Sequence, residues 1–515
     1  MGFLQNNVLT ELICGGMSML SSKIRYIFDI LGTLLMLLGL MMAVPLIMSV
    51  YLGEEMHIAL GYLFTGLGSA AVGFLLHHYF HDEGIKLDVS ASMIITGLGW
   101  LIVSLVVAVP LMVGFEISLL DAYFEAMSGF TTTGITLLDG LETQPLSLIF
   151  LRNLTQWLGG LGILSFFLLI TFRSEGAIWN LFGAEAHKIS SGRPVPNLLK
   201  TIKILWSIYL GLSILQVLLL LLAGLGLFDA VIHTMTTLST GGFSRYDASI
   251  AYFQQAGYTN FRLIEYIFIV FMFLGGTNFL IHYKALQRNW RDVIRNSEFR
   301  FYLKLIGLFT LLIMISVYFA GEISATMNSL ESALRTSLFQ VLAIMTTTGY
   351  ETQYIGSPYF LIPARQLFLV MMLIGGSVGS TGGGIKVLRV LILKKLFGRE
   401  LKAMGMPRRA VNPLVLENKR IDWEDAYHVA GLFFAWLMLI LIGGLITAAL
   451  SSHNIAESFS GMFSAVNNIG PSYITVSEMI EIHPGVKFTY IIGMLAGRLE
   501  ILPVIALFRM NIWKK

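Results

Sequence analysis

Met345-Thr346-Thr347-Thr348-Gly349 lies between two apolar stretches of a 515-residue chain, and three other segments share its pattern when all are set on one glycine. They are Phe130-Thr131-Thr132-Thr133-Gly134, Thr237-Leu238-Ser239-Thr240-Gly241 and Val466-Asn467-Asn468-Ile469-Gly470. The aligned glycines are 107, 108 and 121 residues apart, and periodicity on this scale marks an internal repeat. After each glycine comes a small-residue cluster: Gly159-Gly160, Gly275-Gly276, Gly375-Gly376 and Ala496-Gly497, at 26, 35, 27 and 27 residues. The outlier reflects a longer polar loop at 245–260. Three repeats also place an acid 12 or 13 residues before the glycine, at Asp121, Asp229 and Glu457; the third has Thr336 there and Glu331 further back. A helix of that length is roughly 18–20 Å long, about half a membrane. The acid suits its positive N-terminal end, and the negative C-terminal end then points at the Thr/Gly strand.

The solvent follows from composition. With 56% hydrophobic and 13% charged residues, and a mean hydropathy of +0.75, the chain is too apolar for a water-soluble fold. Apolar runs predict ten spans at roughly 28–52, 57–80, 91–114, 146–172, 200–226, 261–283, 301–320, 364–396, 428–450 and 486–508. The short Thr/Gly segments fall between spans three and four, five and six, seven and eight, and nine and ten, and read as re-entrant loops. The expected fold is therefore an all-α polytopic membrane protein. It has a two-helix N-terminal segment at 1–90 and four pseudo-fourfold helix, pore-helix, helix repeats at 91–175, 198–290, 300–398 and 425–515.

Charge orients it. With the N-terminus in the cytoplasm, about 27 of the 34 Lys and Arg fall in the loops near 82, 173–203, 284–304 and 386–424 and at the chain ends, all on one side. Arg152, Arg245, Arg262, Arg335, Arg365 and Lys487 lie outside, and Arg498 lies within a span. The basic segment 386–420, with Arg408 and Arg409, reads equally as an ordinary cytoplasmic loop or as a contact for anionic lipid or a cytosolic partner. Cys14 is the only cysteine, so there is no disulfide framework. The first twenty residues lack a basic n-region and do not read as a cleaved signal, and Met17 and Met19 are alternative starts.

Non-helical backbone at membrane depth survives only when it is buried in protein or lines water, so four such segments are expected to converge on an axis. A ring of four strands with inward carbonyls supplies the oxygen cage a dehydrated potassium ion needs. Glycine permits the backbone geometry, and Thr or Ser adds hydroxyl oxygen. The expected ion-binding residues are Thr132, Thr133, Gly134, Ser239, Thr240, Gly241, Thr347, Thr348, Gly349, Asn468, Ile469 and Gly470. No Asp or Glu stands among them, which argues against the carboxylate-ring strategy of divalent or nonselective channels.

Three other features are singled out. Gly375-Gly376-Ser377-Val378-Gly379-Ser380-Thr381-Gly382-Gly383-Gly384, just before Lys386, has poor helix propensity in the middle of the eighth span and predicts a break there, with a packing kink as the alternative. Arg498 is too deep to snorkel easily, and an intramembrane charge is a functional candidate; an ion pair is the alternative, although Glu500, two residues on, points to another face. His77 and His81 are spaced to share a metal, but with no third ligand type near in sequence His77, His78 and His81 read as an interfacial cluster. Arg152 reads as a snorkelling residue.

These motifs resemble the Trk/Ktr/HKT superfamily of potassium transporters over nearly the whole chain. The extra N-terminal pair, with Thr132-Thr133-Gly134, Ser239-Thr240-Gly241-Gly242-Phe243-Ser244, Thr346-Thr347-Thr348-Gly349-Tyr350 and Asn467-Asn468-Ile469-Gly470-Pro471, is similar to its TrkH branch. The resemblance implies potassium uptake across the cytoplasmic (inner) membrane, with both termini cytoplasmic. It implies selectivity for potassium over sodium because all four filter positions are glycine. It also implies a gate formed by Gly375, Gly376, Ser377, Gly379, Ser380, Thr381, Gly382, Gly383, Gly384 and Lys386, with Arg498 projecting below the filter. A homodimer and a cytosolic nucleotide-binding partner of the TrkA type are implied in the same way. Neither an enzyme, a cofactor nor a nucleic-acid partner is expected, since phosphate-binding loops and nucleophile–base pairings are missing from the sequence and potassium is the substrate. Two rival readings are the potassium-translocating subunit of a P-type ATPase complex and an ion-coupled symporter.

Overall fold

The structure, a computed structural model, describes residues 22–81, 89–162, 198–321, 327–407, 412–417 and 419–509. Cys14, Met17, Met19, Arg408 and Arg409 lie outside them. The N-terminal segment comprises α1 (Ser22–Met41), α2 (Ala43–Leu52), which continues α1 as one span, and α3 (Met56–Phe80). The first repeat has α4 (Val89–Phe115), α5 (Leu119–Phe130) and α6 (Leu146–Gly160). The second has α7 (Leu198–Leu222), α8 (Leu227–Leu238), the short α9 (Ala251–Gln255), α10 (Phe261–Gly276), α11 (Phe279–Leu286) and α12 (Trp290–Arg295). The third has α13 (Ser297–Phe319), α14 (Met327–Met345), α15 (Ile362–Met372) and α16 (Val387–Ala403). A two-residue hairpin, β1 (Val415–Leu416) with β2 (Lys419–Arg420), leads to the fourth: α17 (Trp423–Leu450), α18 (Ile455–Asn467), α19 (Val476–Glu481), α20 (Pro484–Arg498) and α21 (Leu502–Phe508).

Among the described residues, six helices are long and apolar enough to cross a membrane, α3, α7, α13 and α17 among them. These match six of the ten expected spans. Of the others, the eighth breaks where its glycine-rich run predicts, and the rest correct the expectation of continuity. α10 and α11 meet at 102°, α15 and α16 are separated by 373–386, and α20 ends at Arg498 before α21 begins at Leu502. α6 ends at Gly160, and 163–172 lie outside the described residues. Outside the glycine-rich run, mean hydropathy conceals the breaks because the residues on both sides are apolar.

The breaks have a steric cause. A Cβ on Gly159 would strike the carbonyl of Phe130, and one on Gly497 that of Val466; one on Gly275 would sit 3.1 Å from the carbonyl of Leu238. Each of these carbonyls belongs to the last turn of a half-length helix. The small-residue clusters therefore let the second helix of each of these repeats approach the end of its own half-length helix, in the manner of small-residue packing in membranes.

Three half-length helices carry an acid in the first turn. The Ser118 side chain accepts from the Asp121 amide at 3.1 Å, Asp229 lies in the first turn of α8, and Asn454 and Glu457 form a reciprocal capping box on α18. Packing then closes a circle: α6 lies on α8, α10 on α14, α15 on α18 and α20 on α5. Each repeat's second helix thus supports the next repeat's half-length helix, and the fourth returns to the first.

Candidate functional site: a ring of four strands and the loop beneath it

α5, α8, α14 and α18 each stop one residue or so before a buried Thr/Gly/Asn strand, with their negative ends directed at it. Thr132, Thr240, Thr347 and Asn468 all have φ between 53° and 60°, a left-handed conformation unusual for non-glycine residues. Their amides return to carbonyls three residues back, at Gly129, Thr237, Ile344 and Ala465. Two residues later stand Gly134, Gly242, Gly349 and Gly470, with φ from 76° to 106°.

This geometry corrects the register of the second repeat, which aligns on Gly242 and not Gly241. Sequence cannot choose between adjacent glycines; backbone conformation does. With Gly242 in place, Asp121, Asp229 and Glu457 all precede their glycine by 13 residues. The contacts agree. A Cβ on Gly134 would strike the Gly241 carbonyl, one on Gly242 the Thr348 carbonyl, one on Gly349 the Ile469 carbonyl, and one on Gly470 would come within 3.1 Å of the Thr133 carbonyl. Every glycine abuts the carbonyl just before the next repeat's glycine, so four strands close into one ring. The same four glycines border an outer cavity of about 270 Å³.

Side chains outside the strands hold them. Gln156 donates to the Gly241 carbonyl at 2.7 Å and accepts from the Phe243 amide at 3.0 Å. Trp436 donates to Asn467 Oδ1 at 2.9 Å, and Asn468 Nδ2 donates to Thr133 Oγ1 at 2.9 Å. Arg152 is 1% exposed, 2.5 Å from Glu125, bonded to the Ser244 carbonyl and 3.5 Å above the Phe243 ring. It does not snorkel: a paired, buried charge bolts the first repeat to the second. Arg335 with Glu265 and Lys487 with Asp121 (2.6 Å) make comparable pairs.

Beneath the ring lies 373–386. Gly375 N donates to the Ile385 carbonyl at 2.9 Å, and Ser377 N to that of Gly276 at 2.9 Å. The Gly379 carbonyl, at a φ of 72°, accepts from Phe279 N. Thr381 Oγ1 donates to the carbonyls of Leu238 (2.8 Å) and Gly275 (3.0 Å), and Gly383 N donates to Thr347 Oγ1 at 2.7 Å. Ser380 Oγ accepts from Gly382 N at 3.3 Å, Gly384 stands at a φ of 67°, and Lys386 Nζ donates to the Gly382 carbonyl. The segment is therefore folded on itself and pressed against the lower face of the ring.

Arg498 joins the same layer. Its Nη1 donates to Thr132 Oγ1 (3.1 Å) and the Thr381 carbonyl (2.8 Å), and its Nη2 to the carbonyls of Gly160 (2.7 Å) and Gly159. Glu500, weighed as a mate for Arg498, lies 2.5 Å from Arg389 instead. Two contributors escaped sequence reasoning. Glu298 accepts from Val378 N at 2.8 Å, and Arg389 ties α16 to the turn after α20. An acid in the first turn of a helix carries no distinguishing signal.

Among known proteins, the sequence model of the TrkH family, described as a cation transport protein, matches residues 61–515. The chain belongs to the TrkH family. Its relatives in that family include the Trk system potassium uptake protein TrkH of Escherichia coli K12, 31% identical over 450 residues, covering 86% of this chain and 90% of the relative. An uncharacterized cation transporter of Methanocaldococcus jannaschii is 34% identical over 498 residues, covering 96% and 97%. The crystal structure of the potassium transporter TrkH from Vibrio parahaemolyticus superposes with a TM-score of 0.83 at 29% identity, covering 95% of this chain and 99% of that one. Like these TrkH relatives, the chain is a multi-pass membrane protein.

Proposed function

We propose that the chain takes up potassium through one pore whose selectivity filter is the four-strand ring. The cyclic contact of Gly134, Gly242, Gly349 and Gly470 with the carbonyls of Gly241, Thr348, Ile469 and Thr133 carries this reading. It brings backbone oxygens from four repeats to one axis without a carboxylate, as a dehydrated monovalent cation requires. Filter coordination comes from Thr132, Thr133, Gly134, Thr240, Gly241, Gly242, Thr347, Thr348, Gly349, Asn468, Ile469 and Gly470; the shifted register puts Ser239 level with Thr131, outside the set. The ends of α5, α8, α14 and α18 add favourable potential for a cation.

The segment 373–386 is the gate, and Arg498 is its latch and a positive barrier. The layer's hydrogen bonds to Leu238, Gly275 and Thr347 support a closed arrangement, which opening would exchange for water. The protein works as a homodimer in the cytoplasmic membrane, N- and C-termini inside as the basic loops favour, governed by a cytosolic nucleotide-binding partner; relatives named as parts of a Trk system fit such a partner. The test is flux of rubidium and sodium into liposomes holding the purified protein, with and without an imposed proton gradient. Rubidium uptake exceeding sodium uptake and independent of the gradient is expected. Equal uptake, or uptake that requires the gradient, contradicts the proposal.

A further inference from the structure

At the end of the N-terminal helix pair that lies on the side of the basic loops, Asp29 of α1 is fully buried. His77 Nδ1 lies 2.6 Å from its Oδ1, and His81 Nδ1 lies 3.3 Å from its Oδ2. Sequence offered the two histidines without a third ligand. The fold supplies it from 48 residues upstream.

The helices meet closely there. A Cβ on Gly32 would lie 2.7 Å from the Gly73 carbonyl, and one on Gly39 2.6 Å from that of Gly66, so α1 and α3 are in backbone contact and Asp29 has no room to turn to solvent. Both oxygens of the carboxylate face the two imidazoles. The two imidazoles are one helical turn apart with ring centres at 4.8 Å, and their side chains are 31% and 42% exposed, which opens the site to the aqueous side.

We propose that Asp29, His77 and His81 bind a transition-metal dication of the zinc class, which clamps α1 to α3. The three ligand atoms lie within 4.8 Å of one another. Tetrahedral coordination at about 2.0–2.1 Å sets neighbouring ligands about 3.3 Å apart, which modest rotation of the imidazoles achieves, with water in the fourth position. Two imidazoles and a single carboxylate select zinc, cobalt or nickel over magnesium or calcium, which call for more oxygen ligands. The site stands apart from the filter and the segment beneath it.

The probe is cobalt(II), added to the full-length protein in detergent after chelator treatment, with zinc as competitor and thermal unfolding as second readout. One cobalt per chain with the visible bands of a four-coordinate centre, displaced by zinc, and a melting temperature that climbs with metal concentration are expected. His77→Gln and His81→Gln should each weaken binding about tenfold or more. Glutamine can still hydrogen-bond Asp29, so a role limited to that hydrogen bond would survive these changes. His57→Gln, at the far end of α3, should leave binding unaltered. Absence of the four-coordinate bands at stoichiometric cobalt, or an identical titration in a His77→Gln/His81→Gln double variant that melts like the metal-free wild type, overturns the proposal.

Discussion

The second helices of the second and third repeats break at the same depth but in different ways. α10 and α11 are separated by Thr277 and Asn278 alone, whereas fourteen residues separate α15 from α16. In the second repeat the glycine pair packs on backbone and side chains beside the ring: Gly275 on the Leu238 carbonyl and Gly276 on Thr346. In the third, a Cβ on Gly375 would strike the carbonyl of Gly383 within the insert itself, and one on Gly376 would lie 2.7 Å from Ser380 Oγ. The second-repeat glycines thus seat the helix against its neighbours, while those of the third pack within the insert. The insert is an extra layer held by hydrogen bonds that can be exchanged for water.

The sharpest way to break this comparison is to add a side chain in each class of glycine. Gly497→Val forces a branched side chain into the Val466 carbonyl, an overpacking cost of about 1–3 kcal/mol or more. Loss of flux together with a large fall in melting temperature is expected; an unperturbed protein would mean that the clusters do not seat the filter. Gly375→Ala disturbs only the insert, so basal flux should rise while the melting temperature, read on the same samples, changes little.

Arg498→Ala removes the hydrogen bonds to Thr132, Thr381, Gly159 and Gly160 and a charge whose repulsion of a cation at about 8 Å is of order 2 kcal/mol at an effective dielectric of 20. Partner-free rubidium flux should increase about tenfold or more. A protein that simply fails to fold would reduce Arg498 to a structural tie. Thr381→Val keeps the shape but deletes the bonds to Leu238 and Gly275, each worth about 1 kcal/mol. A severalfold rise in basal flux, with rubidium-to-sodium preference intact, is the expected result.

How much of this was legible in the sequence follows the same division. The half-length helices and the glycine-rich break were readable because each leaves a local pattern. Three things were not. The register of the second ring strand hung on two adjacent glycines that differ only in backbone conformation. Breaks in the other second helices were masked by apolar flanks. Long-range partners left no mark at all: Arg152 found Glu125, Glu298 found the amide of Val378, and Asp29 found two histidines on another helix.

The smallest expected effect concerns the outer cavity. Glu351 lines it, and burial, opposed only by a hydrogen bond from Ile355, pushes its carboxyl up to about 7. Because the folded protein favours the neutral acid, this contribution to stability is fully present below the ordinary carboxylate range. It fades as pH rises through about 7. The charge gained over the same interval draws cations to the cavity, so low-salt flux should rise roughly twofold between pH 6 and 8. Glu351→Gln should flatten that profile; an unchanged profile would assign the titration to another group.

The ring itself is tested most directly by the rubidium-to-sodium flux ratio of Gly134→Ser in liposomes. At a φ of 84°, with its Cβ directed into the Gly241 carbonyl, a serine must push the first strand away from the second. The ratio is predicted to fall by at least about tenfold, or ~1.4 kcal/mol of discrimination. A folded variant with the wild-type ratio would contradict the claim that these four strands form the selective part of the path.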